Sequence, residues 1–270
     1  MVTSENQTES SPEVLCEELK LDINPEFPQF TELSNLIFEF RDLFESFDGI
    51  GIKNVPDMQI VMKAGGTFRR LPSRYLSPLV LSEVIEQLHR LEELGIIQRT
   101  SSAEGSSPLV VVVKPDGSIR LAVDYRELNS NIKYTASQIP NMKSKFPLLS
   151  GQQYFAKMDN LFGYHQWRVS PDSKDLTCIA TPIGTFVYNF CPFGISTAPG
   201  LYQDLMENKI LHGIANVTAV VFIDDTVVFA KESELFLSNL RVMFERLRYH
   251  NVKLKPSKCH FGYSSVEFVG

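Results

Sequence analysis

Apolar residues recur along this chain with two different periods, and the change from one to the other marks out its elements. Between Phe30 and Phe47, the residues Leu33, Ile37, Phe40, Phe44 and Phe47 return every three or four positions, which predicts one helical face ending before Gly49. The stretch SPLVLSEVIEQLHRLEELG predicts a second helix, with Ser77 as cap and Pro78 at the first helical position. Its buried stripe is Leu81, Val84, Ile85, Leu88, Leu91 and Leu94, and Gly95 terminates it. Beyond a Ser-rich loop, two β-branched runs flank KPDGS, and the turn chemistry predicts a hairpin. Strands are expected at 153–159 and 166–169, a second hairpin at 176–191 broken at 182–184, and helices at about 198–211 and 234–250. Hairpins among helices, without repeated crossovers, indicate an α+β fold with a mainly antiparallel sheet.

One apolar run breaks its own pattern. VVFIDDTVVFA places Asp224 and Asp225 between flanks rich in Val and Phe, where a two-residue turn would fall. Aspartate tolerates the backbone such a turn requires, so turn chemistry alone accounts for the pair about as well as function does. The charge argues further: two carboxylates ~4 Å apart repel by roughly 4 kcal/mol at an effective dielectric near 20, a cost that a bound divalent cation reverses. A hard cation such as Mg²⁺ takes one or two carboxylates and completes its shell with phosphates and water. A third carboxylate from another strand is best supplied by Asp159, which ends the alternating run of YFAKMDNLFGYHQWRV.

Together with that hairpin, the segments KMDNLFGYHQWRV, GTFVYNFCPFGISTAPGLYQ and KLKPSKCHFGYSSVEFVG stand in the order and spacing of the reverse transcriptases of gypsy-type long-terminal-repeat retrotransposons. Upstream, SRYLSPLVLSEVIEQLHRLEELGIIQRTSSAEGSSPLVVVVKPDGSIRLAVDYRELN resembles the fingers region of the same family, so the resemblance covers about 70–270. It implies a right-hand polymerase palm, a split β-α-β plus the Asp-Asp hairpin with helices on one face of an antiparallel sheet, together with a fingers subdomain and no thumb. The domain reading that follows is a flexible acidic leader over 1–29, a helix and extended linker over 30–75, and a reverse transcriptase domain over 76–270. Within it the fingers span about 76–150 and the palm about 151–270, ending at the primer grip; this leads us to expect a fragment of a longer polyprotein.

The resemblance implies a role for each matching residue. Asp159, Asp224 and Asp225 are the expected catalytic ligands of two Mg²⁺ ions, with Mn²⁺ as a substitute, and Asn160 adds its backbone carbonyl to the metal site. Tyr164 matches a steric gate against the ribose 2′-hydroxyl. Lys114 and Arg120 match a clasp on the incoming triphosphate, while Phe193 and Gly194 line the nucleotide pocket. Lys258 or Lys255 is the expected general acid for pyrophosphate, and Phe268 and Gly270 begin the primer grip. Three positions depart from the family's habit: Phe162 where Ser or Ala is common, Thr197 where Asn is usual, and Trp167 where an aliphatic is usual. The expected activity is RNA-directed DNA synthesis from dNTPs on a primed RNA or DNA template. The alternatives are a catalytically inactive remnant that binds nucleic acid or a partner, and, less compatible with a triphosphate clasp, a two-metal nuclease.

Composition changes this picture little. The net charge of −6 is uneven: residues 1–60 hold 13 acidic against 3 basic residues, and the remainder holds 23 basic against 19 acidic. The acidity therefore belongs to the N-terminal segment and does not argue against a nucleic-acid partner for the rest. Four cysteines lack C-x-x-C spacing, so neither a zinc site nor a disulfide framework is expected. No signal peptide and no ~20-residue apolar span is present, so the expected location is intracellular with no membrane partner, in the cytoplasm or virus-like particles, with the nucleus as an alternative.

Overall fold

The computed structural model describes residues 19–115, 117–134, 139 and 141–268. Most of the acidic leader, Asp116 of the KPDGS turn and Gly270 lie outside the described residues. In chain order the elements are β1 (Asp22–Ile23), α1 (Phe30–Glu39), α2 (Pro78–Glu93), β2 (Ile97–Arg99), β3 (Ser107–Val113), β4 (Ile119–Val123), α3 (Arg126–Asn131) and α4 (Phe146–Leu149). They continue with β5 (Tyr154–Asp159), β6 (Ile179–Thr181), β7 (Gly184–Tyr188), α5 (Ala198–Leu205), β8 (Ala219–Phe222), β9 (Asp225–Ala230), α6 (Ser233–Tyr249) and β10 (His260–Tyr263).

The strands form two five-stranded sheets. The first has the order β1-β10-β5-β9-β8 and the second β2-β7-β6-β3-β4. Among the named strands of the described residues, β1 with β10 and β3 with β6 pair in parallel and the other neighbours are antiparallel, as the hairpin-rich sequence predicts.

Period-two alternation in β5 and β9 divides the first sheet into two unlike faces. Ala156, Met158, Val228 and Ala230 enter the main core, which the buried stripe of α6 (Phe236, Leu240, Met243, Phe244, Leu247) helps to fill. Phe155, Val227 and Phe229 lie on the opposite face, where Val220, Leu148, Leu149, Val266 and Phe268 join them in a smaller apolar cluster. Lys157, Asp159 and Asp225 follow the same alternation and occupy the free end of that second face. One face is thus buried under helices, and the other carries an apolar cap and a charged end.

The periodicity over 30–47 continues through a break. The α-helix stops at Glu39, and Arg41–Phe44 form a 3₁₀ turn that keeps Leu43 and Phe44 buried. Phe40 lies 5.4 Å from Phe244, and Phe44 lies 6.1 Å from Phe261, so this segment packs into the same core as the first sheet. Pro78 does occupy the first turn of α2, but the Ser77 side chain makes no capping hydrogen bond. The strand expected at 166–169 is absent. Residues 163–166 form a 3₁₀ turn, and the following residues make isolated bridges, Arg168 with Phe190 and Met58 with Val169, in place of a ladder. A left-handed backbone at Phe162 and Gly163, φ +58° and +50°, turns the chain out of β5 before another strand can begin.

Candidate active site

The β5–β9 register sets Asp159 directly across from Asp225. Phe222 pairs with Asp225 across the β8–β9 hairpin, so the two turn residues are Ile223 and Asp224. The sequence expectation placed both aspartates in the turn; the structure makes Asp225 the first ladder residue and shifts the turn by one. The consequence is strain, because Ile223 adopts φ +58°, a region costly for a β-branched side chain. Gln203 on α5 over-determines that geometry. It is almost fully buried, its Oε1 accepts from the Ile223 N–H at 2.7 Å, and its Nε2 donates to the Val221 carbonyl at 3.0 Å.

Three carboxylates face two ammonium groups here. The Lys258 Nζ lies 2.7 Å from Asp159 Oδ2, and the Lys157 Nζ lies 3.8 Å from Asp225 Oδ1. Burial raises the pKa of both Asp224 and Asp225, and repulsion from Asp159 adds to it; Lys157 opposes the shift at Asp225. Lys258 is held protonated above its ordinary range, chiefly by its hydrogen bond to Asp159. Among the described residues no three acidic, His or Cys side chains converge as a ready-made cage for an ion. The donor set is nonetheless all oxygen, partly buried and one positive charge short, which suits a hard cation that brings phosphate and water ligands with it.

Backbone contacts lock the carboxylates together. The Asn160 N–H donates to the Asp224 carbonyl at 3.1 Å, and the Lys255 N–H donates to the Asp159 carbonyl at 2.9 Å. Lys258, of the two lysines expected as general acid, is therefore the one whose ammonium meets the carboxylates, whereas the Lys255 amide anchors the strand. The Asn160 carbonyl accepts the Gly163 N–H at 3.1 Å, and its buried side chain donates to the Tyr202 hydroxyl at 3.0 Å. The Asn160 side chain is thus a tie between β5 and α5, a role not visible in the sequence.

The remaining expected residues divide. Tyr164 is buried, with its ring 5.2 Å from Phe193 and 5.0 Å from Tyr202, and burial beside Asp224 raises its pKa. Gly163 lies close under the turn: a Cβ there would stand 3.1 Å from Asp224 Oδ2. The Arg120 guanidinium reaches across from β4 to the partly exposed Phe193 ring, 5.5 Å from its centroid. Contacts therefore run from Arg120 on β4 through Phe193 and Tyr164 to Asp224, linking the second sheet to the carboxylates of the first. Lys114 sits at the turn end of the β3–β4 hairpin, where its N–H donates to the Ser118 carbonyl at 2.8 Å. Gly194, φ +101°, permits close approach to Tyr125 and Val123 of its own chain. Phe268 belongs to the apolar cap of the carboxylate face.

Two contributors escaped the sequence reading. Gln203 looked like an ordinary helix residue in APGLYQDL, since a buried polar side chain leaves no periodic signal. Lys157 was legible in principle: in YFAKMD it stands two residues before Asp159 and so shares its face.

The family described as reverse transcriptase (RNA-dependent DNA polymerase) matches residues 112–270. The retrovirus-related Pol polyprotein from transposon 297 of Drosophila melanogaster is 32% identical over 200 residues, covering 72% of this chain and 19% of its own length. That from transposon 412 is 28% identical over 254 residues, covering 90% and 20%. The Tf2-3 polyprotein of Schizosaccharomyces pombe is 27% identical over 242 residues, covering 88% and 18%. The chain thus spans about a fifth of the length of these relatives. Among solved structures, a prototype foamy virus protease-reverse transcriptase superposes with a TM-score of 0.81 at 22% identity, over 97% of this chain and 35% of the other. A foamy viral protease-reverse transcriptase in complex with an RNA/DNA hybrid gives 0.81 at 20% identity, over 100% and 36%. The α+β arrangement of two sheets with helices is that of the palm and fingers region of such enzymes, and this chain belongs to the reverse transcriptase family of retrotransposon Pol polyproteins.

Proposed function

We propose that the chain is the polymerase portion of a retrotransposon Pol polyprotein and joins dNTPs to a primer 3′-hydroxyl on an RNA or DNA template. The observation that carries this reading is the register pairing of Asp159 with Asp225, with Asp224 at the turn and two lysines that leave the three carboxylates one positive charge short. Asp159, Asp224 and Asp225 would hold divalent cations, Mg²⁺ before Mn²⁺, which lower the pKa of the attacking hydroxyl and neutralise the leaving pyrophosphate. Family members generally use divalent metals, and the all-oxygen donor set of this chain fits that use.

The protein's own groups do the positioning. Tyr164, wedged between Phe193 and Tyr202, presents a fixed ring beside Asp224. In that place it blocks a ribose 2′-hydroxyl. Arg120, stacked on Phe193, and Lys114 at the hairpin end supply cations for the triphosphate, Arg120 with planar bidentate geometry. Lys258, already protonated against Asp159, is poised to give its proton to the departing pyrophosphate. A primed template, by analogy with the foamy viral complex, would lie over the carboxylate face. Among the described residues no helix is long and apolar enough to cross a membrane.

Primer extension on poly(rA)·oligo(dT) with Mg²⁺ tests the reading. Incorporation should fall by at least about a hundredfold in the double variant Asp224→Asn, Asp225→Asn, a loss of the size seen when charge stabilisation in a reacting site is removed. Undiminished incorporation by that variant would overturn it, and binding to hybrid duplex without incorporation by the unmodified chain would favour an inactive remnant.

A further inference from the structure

Residues 47–58 run as an extended strap along the loop 161–169, which carries Tyr164. The Ile52 N–H donates to the Gln166 carbonyl at 2.7 Å, the Met58 N–H donates to the Arg168 carbonyl at 2.8 Å, and Met58 bridges Val169. The Trp167 indole N–H donates to the Pro56 carbonyl at 2.9 Å. Phe47 is buried, edge-on to Phe162 at 6.2 Å and to Phe190 at 5.1 Å. Gly51, φ +73°, has no room for a Cβ, which would run into the Gln166 carbonyl and the Phe190 ring. The strap is itself fixed on its other side: Asp48 Oδ1 accepts the Ile50 N–H at 2.8 Å, and the Asn251 amide donates to Asp48 Oδ2 at 2.9 Å and to the Gly51 carbonyl at 3.0 Å.

The loop needs such support. Phe162 and Gly163 both hold left-handed backbone, and a non-glycine residue there persists only where its surroundings over-determine it. Phe162 and Trp167, two of the three departures from the family's usual residues, are the loop residues whose side chains meet the strap. Immediately beyond Phe162 stand Gly163, against the Asp224 carboxylate, and Tyr164. A displacement of the strap therefore passes through two residues to the ring beside the carboxylates.

We propose that the strap, through Phe47 on Phe162 and Ile52 on Gln166, is a positioning element that holds the Tyr164 loop and sets how strictly a ribonucleotide is excluded. The inference rests on the polymerase reading and on Tyr164 as the group that meets the sugar. Two readouts separate it from that reading. Trp167 is the only tryptophan of the chain, so acrylamide quenching of intrinsic fluorescence reports the strap and loop contact without any need for catalysis. Selectivity is the ratio of kcat/KM for dGTP to that for GTP on poly(rC)·oligo(dG).

Phe47→Ala and Phe162→Ala should each increase quenching of Trp167. Each should also lower selectivity at least about fivefold, well within the ~100-fold that a 1 Å misplacement can cost. Because the two rings act through one contact, the double variant should lose no more than the worse single variant. Phe47→Leu, which keeps most of the buried area, serves if Phe47→Ala does not fold and should give a smaller shift in the same direction. Phe27→Leu, which weakens packing on Tyr154 and Phe236 away from the loop, should change neither readout. Looser Trp167 with unchanged selectivity, additive losses in the double variant, or an equal loss in Phe27→Leu would each overturn the proposal. Failure of the unmodified chain to incorporate either nucleotide overturns the polymerase reading instead, and the quenching result still decides whether the strap holds the loop.

Discussion

His165 shows how one residue's surroundings become a measurable property of this protein. Its ring stacks on Tyr188 at 5.7 Å and meets Phe193 edge-on at 4.8 Å, and its Nδ1 pairs with the Cys191 carbonyl at 2.9 Å. Burial pushes its pKa down to about 4 from 6.5, with the Cys191 carbonyl opposing the shift. The unfolded chain therefore binds this proton more readily than the folded one between those values, and stability rises with pH across that window. His165 contributes no penalty above about pH 6.5; as pH falls below that it destabilises progressively, and the loss levels off below about 4. The full loss is at most about 3 kcal/mol, since the ring keeps an accessible edge. Urea midpoints measured from pH 7 to pH 4.5 should fall less steeply for His165→Phe than for the unmodified chain, and parallel curves would refute this assignment.

Among elements, the hairpin that carries Asp224 and Asp225 depends closely on a neighbour. β8 and β9 are apolar strands that would pair in several registers by hydrophobicity alone, and their turn carries a strained Ile223. α5 resolves both problems through Gln203, whose amide satisfies one donor and one acceptor of the turn. In Gln203→Leu those two backbone groups lose their partner, at roughly 1–3 kcal/mol for each group left buried. Equilibrium denaturation should show that loss, and primer extension should show reduced kcat with little change in primer-template affinity. Gln203→Glu keeps the acceptor for Ile223 and should fall between the two. Equal kcat in Gln203→Leu and the unmodified chain would show that the hairpin holds its shape alone.

Over the whole molecule, stability lies in the junction between the N-terminal segment and the palm. Phe244 touches Phe40, Phe44 and Phe261, residues drawn from both ends of the chain. Exposed ion pairs of Arg241 with Glu39 and of Arg248 with Asp42 decorate the same seam. Their worth is unequal. Phe244→Ala should cost about 3–5 kcal/mol through lost burial and a cavity, whereas Arg241→Ala should cost less than about 1 kcal/mol because its partner stays solvated. Chemical denaturation of the two variants checks the ranking.

What could be read from the sequence was whatever is periodic or local. The three- and four-residue spacing marked α1 and α2, alternation marked β5, turn chemistry marked the β3–β4 hairpin, and the ordered motifs around Asp159 and Asp224 pointed to a reverse transcriptase. Non-local decisions were not legible there. The one-residue shift that strains Ile223 is set by pairing with β5 and by Gln203, 20 positions away in sequence. The strand expected at 166–169 does not form because the strap takes its carbonyls, Ile52 N–H donating to Gln166 and Met58 N–H to Arg168, while the Gln166 side chain ties the loop to the backbone of Leu161 and Lys253. The aspartate pair was visible in the sequence as an anomaly. Only the tertiary structure set Asp159 across from Asp225 and brought Lys258 to them, because charge acts through space and the residues that share it lie up to 99 positions apart in the chain.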